Sequence, residues 1–562
     1  KKEDGEIRYT QAADEFSDRF EEILIDEYQD SNLIQEEILT SVSGVREGRY
    51  NIFMVGDVKQ SIYRFRLSRP ELFMEKFDTY DLADGPRQRI DLHKNFRSRR
   101  EVLDSVNLFF HKLMRRELGE IAYDDRAALY VGADYPEGGD FHTEVLLIDP
   151  ELPEADPYLA GPSDRELEAR CIAGEIQRLL AGQQVMDKES GTMRPARYRD
   201  MVILTRSIQG TAEVLATVLA REGIPAHVGT REGYFSAQEV SLVLDYLQVL
   251  LNRQQDIPLT AVLASPIGGL DSEELAKIRC AWPKIPFHRA AELYRSEGED
   301  AGIREKVENC LGTMDRLRQK VPYTPMHELL RMVLEDTGYG DYAAAMPGGA
   351  QRRANLEMLV EKARSFEATS YKGLFHFIRY IRQLEKYDVD YGEANMEDEQ
   401  SDAVRIMTIH KSKGLEFPIV FVAGMGKRFN LQDARSMVTL HADLGIGLEA
   451  VDLTQRTKSP SLIKKIIQKE EVLDSLAEEL RVLYVAFTRA KEKLIISGIL
   501  PGAEEKLAAA VREEKGREGA LPYGKLSRAV TWWDWLLPAL AGMPAESPVD
   551  VRILDLGDIT EG

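Results

Sequence analysis

Short apolar runs that end in acidic residues or glycine mark the first part of the chain. One run covers 20–26 and another covers 50–56, and each has the length of a buried strand. Residues 31–43 between them carry apolar side chains at helical spacing, which predicts a crossover helix between two parallel strands. Because α/β sheets bind ligands at the carboxyl ends of their strands, the polar residues that follow each run are candidates for chemistry.

A second alternation of strands and helices begins after a Pro- and acid-rich stretch at 149–164, which predicts a linker or an exposed loop. The pattern there predicts a helix, a strand, a helix and a strand, at 165–180, 201–205, 211–222 and 223–228. From about 259 to 400 the spacing is helical, and strands resume at 404–409, 419–422 and 493–497. A helical block between two α/β stretches predicts a domain inserted into another domain.

Composition limits the classes of protein to which the chain can belong. Its 562 residues are 43% hydrophobic and 30% charged, the balance of a globular protein of several domains. The net charge of −22 excludes a histone-like coat on nucleic acid but is compatible with a local basic cleft. Three scattered cysteines exclude a disulfide framework and fit a reducing cytoplasm. No apolar run approaches the roughly 18 residues that a membrane helix needs.

Asp26 and Glu27 end the first apolar run. Two adjacent carboxylates in this place suit a nucleotide-hydrolysing site, where one serves Mg²⁺ and the other orients or deprotonates the attacking water. The alternative is an acidic turn that caps the next helix.

The second run leads into residues 56–66, which combine an amide with aromatic and basic side chains. Gly56 permits a tight turn, and the Gln60 amide can bind a terminal phosphate without adding charge. Aromatic residues interleaved with arginines can stack on bases and pair with phosphates; these are Tyr63, Arg64, Phe65 and Arg66. The alternative is an amphipathic surface segment with snorkelling arginines.

Three later segments also contain candidate side chains. In residues 95–100 an aromatic stands beside an arginine, which suits a purine and a γ-phosphate, or simply a helix start capped by Ser98. Residues 408–418 form a polar, glycine-containing loop between two strands, where the backbone can approach a phosphate and a carboxylate can bind a ribose hydroxyl. Arg489 ends an apolar helical stretch, either as an arginine finger or as a solvated helix end.

Five strings in fixed order resemble the motifs of one enzyme family. DEYQD, GDVKQSIYRFR, NFRS, TIHKSKGLEF and LYVAFTRAK are similar, in this order, to motifs II to VI of superfamily-one DNA helicases of the UvrD/Rep/RecB group. The wording of the second and fourth strings is most similar to the helicase–nuclease subunits of bacterial AddAB-type repair complexes. Residues 233–240 resemble an auxiliary motif of the same family.

The resemblance implies an α/β fold with two RecA-like parallel-sheet domains, the first incomplete, and a helical domain inserted in the second. We expect 1–135 to form the partial first domain, 136–258 and 399–500 to form the second, and 259–398 to form the insertion. Residues 501–562 then form a linker towards a nuclease domain. We expect the Trp532-Trp533-Asp534-Trp535 segment to be a helix docked on the second RecA-like domain rather than a partner-binding helix.

The resemblance also implies ATP and Mg²⁺ as cofactors. The matching residues make Asp26 the Mg²⁺ ligand, Glu27 the general base and Gln60 the sensor of the γ-phosphate, with Arg97 and Arg489 as two arginine fingers.

The remaining matched residues bind the nucleotide or DNA. Phe96 then lies near the adenine and Glu416 binds the ribose, with Lys413 and Gly414 in the same nucleotide-binding loop. Single-stranded DNA faces the residues Tyr63, Arg64, Phe65 and His410.

Two departures from the family bear on activity. The chain contains no Gly-x-x-x-x-Gly-Lys-Ser/Thr string, which the family places before the DEYQD strand, and no nuclease site follows the last motif. We therefore expect the middle of a larger 3′→5′ DNA helicase that processes double-strand breaks with an AddB-type partner, and no ATP hydrolysis by this chain alone. The alternatives are an inert DNA-binding or scaffolding subunit, or a stand-alone UvrD-like repair helicase.

Overall fold

The computed structural model describes all residues except 1, 4, 5, 8, 120, 137, 151–162, 188–189, 209, 229–233, 347–348, 369–371, 387–401, 518, 545 and 556–562. The chain divides into two compact units, one formed by Lys1–Gly229 with Asp402–Gly562 and the other by Thr230–Ser401. Most of the predicted linker at 149–164 and the first residue of the predicted motif at 233–240 lie outside the described residues. None of the described helices is long and apolar enough to cross a membrane.

The first part of the larger unit contains a pair of parallel strands with helices beside it. Its strands are β1 (Lys2–Glu3), β2 (Glu6–Ile7), β3 (Ile23–Ile25), β4 (Ile52–Met54), β5 (Lys94–Asn95) and β6 (Tyr130–Val131), and its helices are α1 (Gln11–Arg19), α2 (Leu33–Val42), α3 (Pro70–Thr79), α4 (Arg100–Leu113) and α5 (Arg116–Gly119). β3 and β4 pair in parallel, as the two apolar runs predicted. The predicted crossover helix is α2, which begins at a capping box between Asn32 and Gln35.

The prediction that these first two strands are buried is wrong for the described residues. Leu24 in β3 is 70% exposed and Phe53 in β4 is 55% exposed. A sheet of two strands has too few neighbours to bury side chains on both of its faces, because burial needs a packed layer on each side.

The second α/β stretch continues the larger unit. It contains β7 (Thr143–Ile148), α6 (Asp164–Gly182), β8 (Gln184–Met186), β9 (Met193–Pro195), β10 (Met201–Thr205), α7 (Ala212–Arg221) and β11 (Ala226–Val228). The helices and strands predicted from the hydrophobic pattern in this stretch therefore occur in the expected order.

The smaller unit is helical and has its own hydrophobic core. Its helices are α8 (Gln238–Leu251), α9 (Asp256–Ala264), α10 (Ser272–Ala281), α11 (Phe287–Glu297), α12 (Ala301–Lys320), α13 (Met326–Asp336), α14 (Tyr339–Ala345), α15 (Gly349–Glu367) and α16 (Leu374–Lys386). It begins at Thr230 rather than at 259. The boundary moves because Val240, Val243 and Leu247 of α8 are buried in this helical core, so α8 does not belong to the sheet domain.

The chain then returns to the larger unit. Its elements there are β12 (Val404–Thr408), β13 (Phe417–Val422), β14 (Thr439–His441), β15 (Gly445–Gly447), β16 (Glu449–Asp452), β17 (Thr457–Pro460), α17 (Leu462–Phe487), β18 (Ala490–Ile499), α18 (Ala503–Glu514), α19 (Tyr523–Leu526), α20 (Trp533–Ala541) and β19 (Val549–Leu554). β14 pairs with β15 and β16 with β17 as two antiparallel hairpins.

A seven-stranded sheet forms the centre of the larger unit, in the order β11-β12-β10-β13-β18-β7-β19. Every neighbouring pair is parallel. The central strands are nearly continuous runs of valine, isoleucine and leucine, buried on both faces, as parallel strands between two helical layers require. The mixed α/β fold with a large parallel sheet is confirmed.

The prediction of a linker after residue 500 is wrong. β19 pairs with β7 at the edge of the central sheet, and α18, α19 and α20 precede it. Trp532, Trp533 and Trp535 are at most 2% exposed and lie in the core shared with α4 and α17, so the docked interpretation of this segment is confirmed. Their large apolar area makes burial favourable, and Trp533 Nε1 also donates to the Ile499 carbonyl at 3.1 Å.

Candidate nucleotide site and adjoining aromatic cluster

The carboxylate pair after β3 is held by a strained turn. Glu27 has φ 50° and ψ 38°, in the left-handed region that side chains other than glycine rarely adopt. Its amide donates to Asp26 Oδ1 at 2.9 Å, and Gln29 Nε2 donates to Glu27 Oε2. Strain of this kind costs about 1–3 kcal/mol and collects at functional sites. The turn therefore sets the direction of the Glu27 carboxylate.

Asp26 fits the part of a magnesium ligand. Its side chain is exposed at the carboxyl end of β3, and one carboxylate oxygen, Oδ1, accepts the Glu27 amide. Mg²⁺ in nucleotide sites is usually held by one or two carboxylates together with phosphates and water. A single exposed carboxylate at this strand end satisfies the protein's share of that coordination.

Gly56 allows the ends of β3 and β4 to approach each other. A Cβ atom at this position would lie 2.4 Å from Gln29 Oε1, closer than any side chain tolerates. The same Gln29 oxygen accepts the Asp57 amide at 3.0 Å. Glycine is therefore required here for contact between the two turns, which places Gln60 beside the carboxylate pair.

Gln60 joins the β4 turn to the arginine at the end of α17. Its Nε2 donates to Asp57 Oδ2 at 3.0 Å, while its Oε1 accepts Arg489 Nη2 at 3.3 Å. Burial opposes ionisation of Asp57, but the Lys59 ammonium at 2.9 Å and these hydrogen bonds hold its pKa below the ordinary value. The amide is thus oriented by a charged group on each side.

Arg489 is buried, with only 1% of its surface exposed. Nε donates to the Val485 carbonyl at 3.0 Å and Nη1 to the Leu415 carbonyl at 3.2 Å. Burial, with the nearby Arg97 charge as the next cause, lowers the pKa of Arg489 to about 10, so the guanidinium stays charged at neutral pH. A buried cation held by backbone carbonyls is poised for an anionic ligand.

The loop that carries Phe96 and Arg97 is fixed at both ends. Asn95 Oδ1 accepts the Arg97 and Ser98 amides at 2.8 and 2.9 Å, and the Ser98 hydroxyl donates to the Ala490 carbonyl at 2.7 Å. The Phe96 ring is 74% exposed, as a stacking surface for a base requires. Ser98 here binds the start of β18 instead of capping α4.

Glu416 lies between two cations. Arg97 Nε donates to its Oε2 at 2.8 Å, and Lys491 Nζ lies 3.4 Å from its Oε1. Burial favours the neutral acid, but Arg97 and Lys491 together hold the pKa of Glu416 below its ordinary value. Gly414, two residues earlier, has φ 82°, which turns the loop between β12 and β13.

Lys413 lies on the carboxylates of the first strand turn. Its ammonium binds Asp30, lies 3.3 Å from Glu27 Oε2 and donates to the Gln60 carbonyl at 2.9 Å. Burial raises the pKa of Asp30 in spite of this ion pair. Lys413 therefore joins the motif V loop to the candidate general base, a role that its expected place in the nucleotide-binding loop did not include.

Three rings form an aromatic cluster beside this lysine, made of Tyr63, Phe65 and His410. Phe65 lies 5.8 Å from Tyr63 and 5.9 Å from His410, centroid to centroid, and is 66% exposed. The Arg66 guanidinium lies over the Tyr63 and Phe65 rings, at 5.2 and 5.6 Å. Exposed rings with a guanidinium over them provide a stacking surface for the bases of a single strand.

Arg64 faces away from that cluster. Its guanidinium is 2.9 Å from Asp474 and 3.0 Å from Glu471, both on α17. The expectation that Arg64 binds DNA is corrected accordingly: its charge is neutralised by two carboxylates, and Arg66 is the arginine beside the rings. Alternation in the string suggested both arginines, but only the partners on α17 distinguish them.

The structure brings the expected residues into two neighbouring groups. The nucleotide group contains Asp26, Glu27, Gln60, Phe96, Arg97, Lys413, Gly414, Glu416 and Arg489, and the aromatic cluster lies beside Lys413, whose ammonium is 5.0 Å from the Tyr63 ring. Sequence reasoning missed Asp30 and Lys491. Both stand inside quoted motifs, so a charge count within DEYQD and LYVAFTRAK could have found them.

Two family models match the chain. The UvrD/REP helicase N-terminal domain matches residues 7–81, and the UvrD-like helicase C-terminal domain matches residues 90–500. Together they cover both groups of candidate residues.

Curated proteins named as the AddA-type subunit of an ATP-dependent helicase/nuclease are similar to most of the chain. The protein of Lachnoclostridium phytofermentans is 45% identical over 88% of this chain and 42% of its own length. Those of Clostridium botulinum and Bacillus cereus are each 41% identical over 96% of this chain, and over 45% and 44% of their own lengths. The chain therefore spans less than half the length of these relatives.

Proposed function

The chain belongs to the UvrD-like helicase family, and from that premise we propose that it is the ATP-driven core of a 3′→5′ DNA helicase in an AddAB-type helicase–nuclease. The observation that carries the proposal is the contact between residues that lie hundreds of positions apart. Arg489 binds Gln60, Arg97 binds Glu416, and Lys413 binds the Glu27 turn. An inert scaffold has no need for these pairs.

The residues divide the work of phosphoryl transfer by their positions. Glu27, held by its strained turn, accepts the proton of the attacking water. Arg489 and Arg97 stabilise the charge that develops on the transferred phosphoryl group, while Gln60 reports its presence to Arg489. Mg²⁺ held by Asp26 supplies charge neutralisation when bound.

The names of the relatives suggest a partner for the intact protein. Each of these curated relatives is named as one subunit of a helicase/nuclease. We propose that the intact protein pairs with a second, AddB-type subunit to process double-strand DNA breaks for recombinational repair. The nuclease activity then belongs to a part of the protein other than the helicase core.

The direction of movement is tested with tailed duplexes. The intact protein and its partner should unwind, with ATP, a duplex that carries a single-stranded 3′ tail, because the proposed motor moves towards the 5′ end of the strand it holds. A nuclease-inactive variant of the complex, tested on the same duplexes, separates unwinding from degradation. Unwinding that requires a 5′ tail would contradict the proposal.

We expect the 562-residue chain by itself to release phosphate from ATP only at the background rate, with or without single-stranded DNA. It has no Gly-x-x-x-x-Gly-Lys-Ser/Thr loop to hold the phosphates, and a misplaced phosphate forfeits most of the proximity advantage. The measurement is phosphate release from purified chain, with the Glu27→Gln variant as the matched blank. Turnover that Glu27→Gln removes would reveal a second phosphate cradle in these residues.

Phe65→Ala in the intact protein should weaken binding of single-stranded DNA by about tenfold, since base stacking on an aromatic contributes roughly 1–3 kcal/mol. It should also lower the number of base pairs unwound per ATP hydrolysed. Phe16→Ala is a control, because Phe16 is exposed but lies outside the cluster. Unchanged affinity and coupling in Phe65→Ala would assign the ring to packing instead.

A further inference from the structure

One cation in the nucleotide group has no part in the proposed mechanism. Lys491 lies 3.4 Å from Glu416 Oε1, on the carboxylate oxygen that Arg97 does not bind. A carboxylate offers about four lone-pair sites, so an ammonium at this distance leaves Oε1 able to accept a further hydrogen bond. The Glu416 carboxylate is therefore held from two sides while part of it stays available.

Lys491 is anchored more firmly than Arg97. It is the second residue of β18, and its carbonyl accepts the Arg99 amide at 2.7 Å. The preceding residue, Ala490, pairs with Phe417 at the start of β13, directly after Glu416. The two backbones are thus in register, and the lysine side chain is only 17% exposed. Arg97, in contrast, belongs to a loop.

The two cations differ in what nucleotide binding requires of them. As an arginine finger, Arg97 must direct its charge to the terminal phosphate, and its attraction to Glu416 weakens when it does so. Lys491 has no such second task, because it stands on the sheet and its ammonium forms its ion pair with Glu416. It can keep the carboxylate in place while Arg97 turns.

We propose that Lys491 is a positioning residue that keeps the Glu416 carboxylate directed at the ribose hydroxyls of the bound nucleotide. This inference rests on the proposed function, in which Glu416 binds the ribose. Lys491 sets the preference for a ribose over a sugar without hydroxyls, and it does not touch the reacting phosphate.

The test measures steady-state ATP hydrolysis by the intact protein with ATP and with 2′,3′-dideoxy-ATP. Lys491→Met should raise the KM for ATP about tenfold, the effect of losing one hydrogen bond to a charged group. The kcat should stay within about twofold, because ground-state binding is what changes. The KM for the dideoxy nucleotide, which offers no hydroxyl to Glu416, should not change.

Two further variants complete the design. Lys491→Arg keeps the positive charge and should restore most of the preference for ATP, whereas Lys515→Met, at an exposed lysine on the end of α18, should behave as wild type. Thermal unfolding of each variant separates loss of folding from loss of preference, because destabilisation does not alter the ratio of the two KM values.

The possible outcomes are distinct. An equal rise in both KM values, or no rise in either, with an active wild-type protein, overturns the role of Lys491. Absence of DNA-stimulated hydrolysis by the wild-type protein overturns the proposed function itself.

Discussion

Glu27→Gln in the intact protein should lower ATP turnover by about 10²- to 10⁴-fold, the usual contribution of a general base. Glutamine has nearly the same shape as glutamate and can still orient a water molecule, but it cannot accept the proton. The left-handed turn at Glu27 and the hydrogen bond from Gln29 hold the side chain in place, so the substitution removes basicity and leaves the geometry.

The measurement pairs single-turnover hydrolysis with nucleotide binding. The Glu27→Gln protein should bind a fluorescent ATP analogue as tightly as wild type, because Glu27 acts on water and not on the nucleotide. Glu22→Gln is the matched control, since Glu22 is an exposed glutamate just before β3. Turnover within tenfold of wild type would remove Glu27 from the role of base.

Arg489→Lys should reduce kcat by about 10³-fold, at the lower end of what arginine fingers contribute. Lysine keeps the charge but has one donor point instead of a planar fork, so it cannot bind the Val485 and Leu415 carbonyls, Gln60 and a phosphate together. The loss should appear in kcat, because the charge on the phosphoryl group develops mainly in the transition state.

The control for this substitution is another buried arginine from the preceding helix. Arg481 lies in α17 and its Nε donates to the Ser61 carbonyl at 2.7 Å, away from the nucleotide group. Arg481→Lys should lower the melting temperature as Arg489→Lys does, with little effect on kcat. Equal losses of kcat in the two variants would mean that Arg489 acts only through the fold.

Local sequence determined the residues at the strand ends. The apolar runs predicted β3, β4, β10, β12, β13 and β18 because burial on both faces requires uninterrupted valine, isoleucine and leucine, and this requirement is visible in the chain itself. The motif strings also determined which polar residues follow each strand, and so which residues the site contains.

The tertiary structure alone decided which of these residues touch. Arg97 and Glu416 are 319 positions apart, and their contact depends on the order in which strands enter the sheet. Hydrophobic periodicity records whether a side chain is buried but not which strand lies beside it, so it could not show that Lys413 binds the Glu27 turn or that Arg64 turns to α17.

The same limit explains the two errors in domain organisation. The helical spacing of α8 is equally compatible with a helix on the sheet and with one in the helical unit, and only its buried neighbours distinguish them. β19 is short and half exposed, so its alternating pattern carries little signal, and its place at the sheet edge comes from pairing with β7. Sequence alone determined the chemistry available at each strand end, and long-range packing decided how that chemistry is assembled, because contact between distant residues is a property of the whole fold.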